Sequence, residues 1–188
     1  MSISTKTGDD GSTSALGNGR LSKHDPRIEA LGALDELDAF LSAVPAAVPG
    51  TAAAKPRHDE PLPPDGDDIP GTAEMVGAIR RQLSETVMVF AAGAKPGTVF
   101  PAVDKCTERL ENWIALLEKK HRISGFVSRW TKPASVSLNI ARAVCRRAER
   151  RITETDNRGL YAYINRLSDL LFLLAVNEEA DRRAIDQR

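Results

Sequence analysis

Cysteine and histidine are scarce in this 188-residue chain, with two of the first and three of the second. Cys106 and Cys145 stand singly without a CxxC spacing, and His24, His58 and His121 are scattered, so no zinc or iron ligand cluster is legible. That thiol usage points to a reducing compartment and to cysteines packed inside helices, although a disulfide between them stays open at the level of sequence. Aromatic residues make up 5% of the chain and β-branched runs are few, which disfavours sheet. It also removes the stacking series on which single-stranded nucleic acid is held. Lys plus Arg and Asp plus Glu both number 26, so the basic excess of a duplex-binding protein is missing. No charged-then-apolar leader pattern opens the chain and no apolar run reads as long enough to cross a bilayer. The expectation is a soluble cytoplasmic protein with neither nucleic acid nor membrane as partner. Neither GxxxxGK[ST] nor GxGxxG occurs, so a standard P-loop is excluded.

What is present lies at opposite ends of the chain. Thr5-Lys6-Thr7-Gly8-Asp9-Asp10-Gly11-Ser12-Thr13-Ser14 is short, polar and punctuated by glycine. Such a backbone turns tightly and can aim N–H groups and hydroxyls at anionic oxygens. Arg142 to Arg151 holds five arginines within ten residues of a helical stretch. At about 100° per residue Arg142, Arg146, Glu149 and Arg150 share one face, with Arg147 and Arg151 flanking the apolar stripe Val136, Ile140, Val144, Ala148 and Ile152. Guanidinium groups at i, i+4 and i+8 can grip several phosphate oxygens bidentately at any relevant pH. On residue chemistry alone two readings stand. The two segments are halves of a polyphosphate site, or they are a polar tail and a solvated basic face paired with acids on neighbouring helices.

Between them the pattern is helical. Asp25-Pro26 reads as an N-cap followed by proline at the first helical position, opening a helix to about Ala43 with Ile28, Leu31, Leu34, Leu37 and Leu41 inward. Asp35 and Asp38 lie one turn apart on its polar flank. Residues 45–71 hold seven of the eleven prolines and read as an irregular Pro/Ala/Gly-rich insertion. Further helices are predicted over Thr72–Ala91, Pro101–Lys120, Ala134–Thr153 and Leu160–Arg183. Val103, Cys106, Leu110, Trp113 and Leu117 form the inner face of the third. Ile164, Leu167, Leu171, Leu174 and Ala175 form that of the fifth, with Asn165 and Asp169 on another face. The expectation is an all-α, single-domain up-and-down bundle of about five helices spanning residues 1–188.

Five ordered blocks carry a resemblance: Thr5–Asp9, Ser22-Lys23, Glu29–Leu37, Ala141–Arg151 and Ile164–Asp169. In these the chain resembles the PduO-type ATP:cob(I)alamin adenosyltransferases over most of its length outside the insertion. The resemblance implies that Thr5, Lys6, Thr7, Gly8, Thr13, Ser14 and Lys23 wrap the ATP phosphates. Arg146, Arg147, Glu149, Arg150 and Asn165 would complete the nucleotide site from a neighbouring subunit of a homotrimer, with Mg²⁺ bound on the phosphates. Asp35 would pair with Arg142 across that boundary. Phe126 lies sixteen residues before Arg142, as the family's corrin-facing phenylalanine does, and would fill the lower axial face of cobalt. A reductase and a B12-dependent acceptor enzyme are the further partners implied. The implied reaction, attack of Co(I) on the 5′ carbon of ATP, needs no Ser-His pair or general base from the protein.

Three features depart from the family's pattern. Val127-Ser128-Arg129-Trp130-Thr131-Lys132-Pro133 replaces an apolar pair and a flexible Pro-Gly-Gly turn. Asp38 stands where Asn or Ser is usual, and the insertion is long. The altered loop keeps a second expectation in play, a non-catalytic ATP- or corrinoid-binding sensor or carrier; a third, a helical nucleic-acid module using the arginine row, is disfavoured by zero net charge and the missing aromatic series.

Overall fold

The helix start at Asp25 forms because its carboxylate caps the first turn, accepting the Arg27 N–H at 2.9 Å while the Arg27 guanidinium closes on it at 2.9 and 3.0 Å. Pro26, which has no N–H to satisfy, takes the first helical position. The helix it opens, α1, runs Pro26–Ala47, followed by α2 (Thr72–Ala91), α3 (Pro101–Lys120), α4 (Pro133–Ile152), a single 3₁₀ turn (Thr153–Thr155) and α5 (Arg158–Ala180). The chain is a computed structural model that describes residues 4, 6–15, 19–50, 68–92, 101–123, 127, 129–155 and 157–180. Thr5, Phe126, Ser128, most of the expected insertion and the end of the expected last helix lie outside the described residues.

Contacts between helices give the topology. Arg147 meets Glu36 and Arg151 meets Glu29, so α4 runs antiparallel to α1. Cys145 donates to the Ile164 carbonyl and Ser135 to Glu179, so α5 runs antiparallel to α4. Lys120 at the end of α3 reaches Asn177 near the end of α5, and Thr72 at the start of α2 reaches Glu178. Helices α1, α3 and α5 therefore point one way and α2 and α4 the other, as an up-and-down bundle requires. Its centre is aliphatic: Leu34, Leu37 and Leu41 of α1, Ile79 of α2, Leu110 and Leu117 of α3, Leu138 and Ile152 of α4, and Leu167, Leu171 and Leu174 of α5 are all inaccessible. Ala30, Ala141 and Ala148 are inaccessible as well, small residues in two helices packed side by side.

Four expectations are corrected. Helix α1 continues past Ala43 into the first residues assigned to the insertion, because Val44 extends the buried stripe and compensates the single ladder bond that Pro45 cannot make. A small antiparallel ribbon that no periodicity announced, β1 (Ser12–Ala15) and β2 (Gly19–Ser22), precedes the bundle with Ser12 opposite Ser22. Val136 and Ile140 of α4 are 37% and 42% exposed. Residues spaced strictly by four advance about 40° per step around a helix, so this row slants out of the core toward its N-terminal end. The buried sector follows Leu138, Ala141, Cys145, Ala148 and Ile152 instead. Finally, α5 is long and apolar enough to cross a membrane by length and composition, yet it serves as the central helix of the bundle, with 56% of that apolar window buried. Both cysteines are free, Cys145 buried and Cys106 half-buried, and burial raises both thiols above the ordinary cysteine range.

Candidate active site

The N-terminal segment is shaped by backbone turns before any side chain acts. Gly11 donates to the Gly8 carbonyl at 3.2 Å, and the Gly11 carbonyl accepts from Lys23 N–H at 2.9 Å, tying the turn to the end of β2. Gly11 has φ +81°, a left-handed conformation that a side chain would strain. Gly8 is needed for space: a Cβ there would lie 3.2 Å from the Ser12 carbonyl oxygen and 3.4 Å from Lys23 Nζ. Lys23 Nζ itself donates to the Gly8 carbonyl at 2.7 Å. Arg20, which sequence reading passed over, braces the same turn by donating to the Thr7 carbonyl, the Ser12 hydroxyl and Asp10. Hydrogen bonds from Ser12, with the Arg20 charge behind them, hold the Asp10 carboxyl below the usual carboxylate range.

This turn and ribbon stand beside α1 and α4. Thr13 and Lys23 share a cleft of about 480 Å³ with Glu29, Gly32 and Glu36 of α1 and with Arg147 and Arg151 of α4. Arg147 pairs with Glu36, while Arg151 lies 3.9 Å from Glu29 and 3.6 Å from Glu154. The two flanking arginines of α4 thus join the N-terminal half of the candidate site within one chain.

The other arginines face elsewhere. Arg142 and Arg146 line a second cleft of about 820 Å³ between α3, α4 and α5, whose further walls include Arg122, Arg166, Asp169, Ile114 and Phe172. Arg142 donates through Nε to Asn139 at 3.0 Å. Arg150 folds back to the Arg146 carbonyl at 2.9 Å. Beneath them Glu149 is 8% exposed, accepts from Asn165 Nδ2 at 2.8 Å and lies 4.0 Å from Arg146. A buried carboxylate with a side-chain amide and a guanidinium as neighbours stiffens the base of the arginine row. Arg166 in turn donates to Asn165 and pairs with Asp169 at 3.2 Å.

The structure therefore brings Thr13 and Lys23, with Gly8 bonded to Lys23, beside Arg147 on one side of α4, and groups Arg142, Arg146, Glu149, Arg150 and Asn165 on another, while Lys6, Thr7 and Ser14 lie in the N-terminal turn and ribbon. Asp35 is exposed on α1. Asp38 is engaged by Arg80 of α2 through two bonds of 2.8 and 2.9 Å, which raises the arginine's affinity for its proton, so it acts as a strut between helices. Arg122, Arg166 and Phe172 were not singled out from the sequence. The available signal was their position: Arg166 adjoins Asn165 inside a quoted block, and Phe172 follows Asn165 by two helical turns.

Such a molecule belongs, by class, to helical bundles that carry separate clefts, each lined by arginines and carboxylates, on the two flanks of a single arginine-rich helix. More narrowly, the chain belongs to the cobalamin adenosyltransferase family, whose model matches residues 3–178. It is 33% identical over 186 residues to corrinoid adenosyltransferase PduO of Salmonella typhimurium, covering 96% of this chain but 51% of that protein, so it spans about half the length of that relative. Against the corrinoid adenosyltransferase of Bacillus subtilis it is 30% identical, covering 93% of this chain and 85% of the relative. A phenylalanine-to-alanine variant of a PduO-type ATP:corrinoid adenosyltransferase from Lactobacillus reuteri, complexed with cobalamin and ATP, superposes with a TM-score of 0.73 at 25% identity, covering 93% and 91% of the two chains. An arginine-to-lysine variant of the same kind of enzyme, complexed with ATP, shares the fold at a TM-score of 0.73 and 24% identity, covering 98% and 96%.

Proposed function

We propose that this protein transfers the 5′-deoxyadenosyl group of ATP to cob(I)alamin, producing adenosylcobalamin and triphosphate. The observation that carries the reading is that, of the residues the family resemblance assigns to the site, Thr13, Lys23 and Arg147 line one cleft and Arg142 and Arg146 another. A composite site then forms where the Thr7–Lys23 side of one protomer meets the Arg146 and Arg150 side of the next, as in a homotrimer with shared sites. Asp35, exposed on α1, is free to meet Arg142 of the neighbouring protomer at the same boundary.

In the reaction cobalt forms a bond to C5′ as the C5′–O bond breaks, and the electron pair leaves with triphosphate. The chain's own residues have three tasks. Lys6, Thr7, Thr13, Ser14 and Lys23 hold the phosphates, with Thr5 extending the segment. Arg146 and Arg150 offset the charge that grows on the leaving group. Glu149 and Asn165 hold that arginine row at a fixed distance from the ribose carbon. The 820 Å³ cleft beside Arg142, with Phe172 and Ile114 in its wall, supplies an apolar surface for the corrin. Phe126 covers the lower axial face of cobalt in this reading, displacing a donor ligand and easing reduction from Co(II).

Among the described residues no group of three or more His, Cys, Asp or Glu converges on a metal position. In this reading Mg²⁺ enters on the triphosphate oxygens, where it neutralises phosphate charge. Two free, poorly ionising thiols suit a reducing cytoplasm. A reductase supplying Co(I) and a B12-dependent enzyme accepting the product complete the proposed partners.

The test is anaerobic: purified protein with ATP, Mg²⁺ and chemically reduced cob(I)alamin, followed by the appearance of light-sensitive adenosylcobalamin in the visible spectrum. Product at a catalytic rate supports the reading. Saturable ATP binding without product replaces it with a binding protein, a sensor or carrier.

A further inference from the structure

The segment that replaces the family's flexible turn is clasped to the end of α5. Glu179 accepts from Thr131 N–H at 2.9 Å, Lys132 N–H at 3.3 Å, the Thr131 hydroxyl at 2.5 Å and the Ser135 hydroxyl at 2.5 Å. Lys132 returns the contact, its Nζ donating to the carbonyls of Glu178 and Glu179 at 2.7 Å each. The exchange has a helix-end logic. The Lys132 side chain makes no cap hydrogen bond at the start of α4, and Glu179 places a carboxylate there, accepting from the N–H of Lys132 at the cap and of Thr131 before it. In the last described turn of α5, Lys132 supplies an ammonium to the carbonyls of Glu178 and Glu179. The two segments thus exchange a carboxylate and an ammonium.

The residue just ahead of this clasp is Trp130, half-buried, whose ring meets Phe172 edge-on at 6.0 Å and 90°. Phe172 lines the 820 Å³ cleft with Arg142 and Arg146. An aromatic pair in this T-shaped arrangement holds its rings more firmly than area burial alone. A flexible Gly-rich turn would leave that wall loose; here Thr131 and Lys132, directly after Trp130, are tied to α5.

We infer that Glu179 is a positioning residue for the corrinoid substrate, acting through the Lys132 clasp and Trp130 to hold Phe172 as a rigid apolar wall of the cleft. This rests on the adenosyltransferase reading. Burial alone would raise the Glu179 carboxyl, but the hydrogen bonds from Ser135 and Thr131 outweigh it and bring it down to about 2, so the clasp stays charged throughout the working pH range.

The experiment compares Glu179→Gln, Trp130→Ala and the double variant with the unaltered protein, in steady-state kinetics for each substrate and in tryptophan emission. Glu179→Gln keeps the size and loses the charge and part of the accepting capacity. The expected result is a rise in KM for cob(I)alamin of about fivefold or more with KM for ATP within about twofold, together with a red shift of the emission that Trp130→Ala removes. The double variant should be no worse for cob(I)alamin than Trp130→Ala alone, because the two act in series. Equal rises in both KM values, additive losses in the double variant, or an unmoved tryptophan emission would overturn the inference while leaving the proposed reaction intact. Unaltered protein that neither turns over nor binds cobalamin overturns both.

Discussion

Arg146 combines three properties that single it out at the scale of the residue: a half-exposed guanidinium on the 820 Å³ cleft, a buried glutamate 4.0 Å away, and Arg150 folded against its own carbonyl. If it offsets charge on the departing triphosphate, Arg146→Ala lowers kcat/KM for ATP by about tenfold or more, at about 1.4 kcal/mol per decade. Steady-state kinetics with unchanged thermal stability checks this, and unaltered kcat/KM would remove Arg146 from the site. Gly8 makes a different kind of prediction, since a methyl group there meets the Ser12 carbonyl oxygen at 3.2 Å and the end of Lys23. Lys23 can swing aside but the backbone oxygen cannot, so Gly8→Ala distorts the turn and raises KM for ATP. Isothermal titration with a non-hydrolysable ATP analogue reads the effect directly; affinity equal to that of the unaltered protein would show that the turn plays no part in phosphate binding. Both residues stood out in the sequence, one by repetition of arginine and one by glycine punctuation. Arg20 and Glu179 did not, since an isolated arginine in a strand and a glutamate at a helix end carry no local pattern.

Helices explain most of what was legible at the scale of the element. The Asp25-Pro26 start is an interaction between neighbours in sequence, so it could be read in advance and forms as expected. Asp25→Ala should cost about 1 kcal/mol of stability through loss of the cap; a denaturant midpoint within error of the unaltered protein would contradict it. Acid sensitivity follows from two carboxylates. Hydrogen bonds from Arg27 lower Asp25 from 3.8 to about 2, and Glu179 is lowered from 4.5 to about 2 despite the opposing effect of burial. Both folded-state values lie below the unfolded ones, so their stabilisation is complete above pH 4.5 and is lost as the pH falls from there through about 2. Melting temperature should therefore decline over that window and be flat with respect to these groups above it. Glu179→Gln should flatten part of the decline; a slope identical to that of the unaltered protein would mean that Glu179 does not contribute. The hairpin of β1 and β2 was not legible, because the four-residue strands Ser-Thr-Ser-Ala and Gly-Arg-Leu-Ser have no apolar alternation to reveal them.

The whole molecule raises the question of how two clefts on one chain serve one reaction. If sites are shared between protomers, two inactive variants can repair each other. Lys23→Ala spoils the side formed by the N-terminal turn and Arg146→Ala the side formed by α4. Co-expression at equal levels should give about one quarter of all sites both intact sides, or about one in three within a mixed trimer, so activity recovers toward that fraction while each variant alone stays low. No recovery in purified mixed oligomers would mean that each site draws on a single chain. Recovery together with a trimer mass by light scattering would account for Asp35, which is exposed in the single protomer.

Sequence alone determined the periodic and local features: helix count, the Asp25 cap, the leucine stripes, and the arginine and glycine segments with the family they resemble. Each depends on residues within a turn or two of one another, where spacing is already geometry. Only the tertiary structure decided that Arg147 joins Lys23 and Thr13 while Arg146 turns to α5, that Val136 and Ile140 emerge from the core, that α5 with its long apolar window is the centre of the bundle, and that Glu179 clasps a segment 48 residues away. Those outcomes depend on which helices α4 lies between and at what rotation, a matter of packing shape that no one-dimensional repeat encodes.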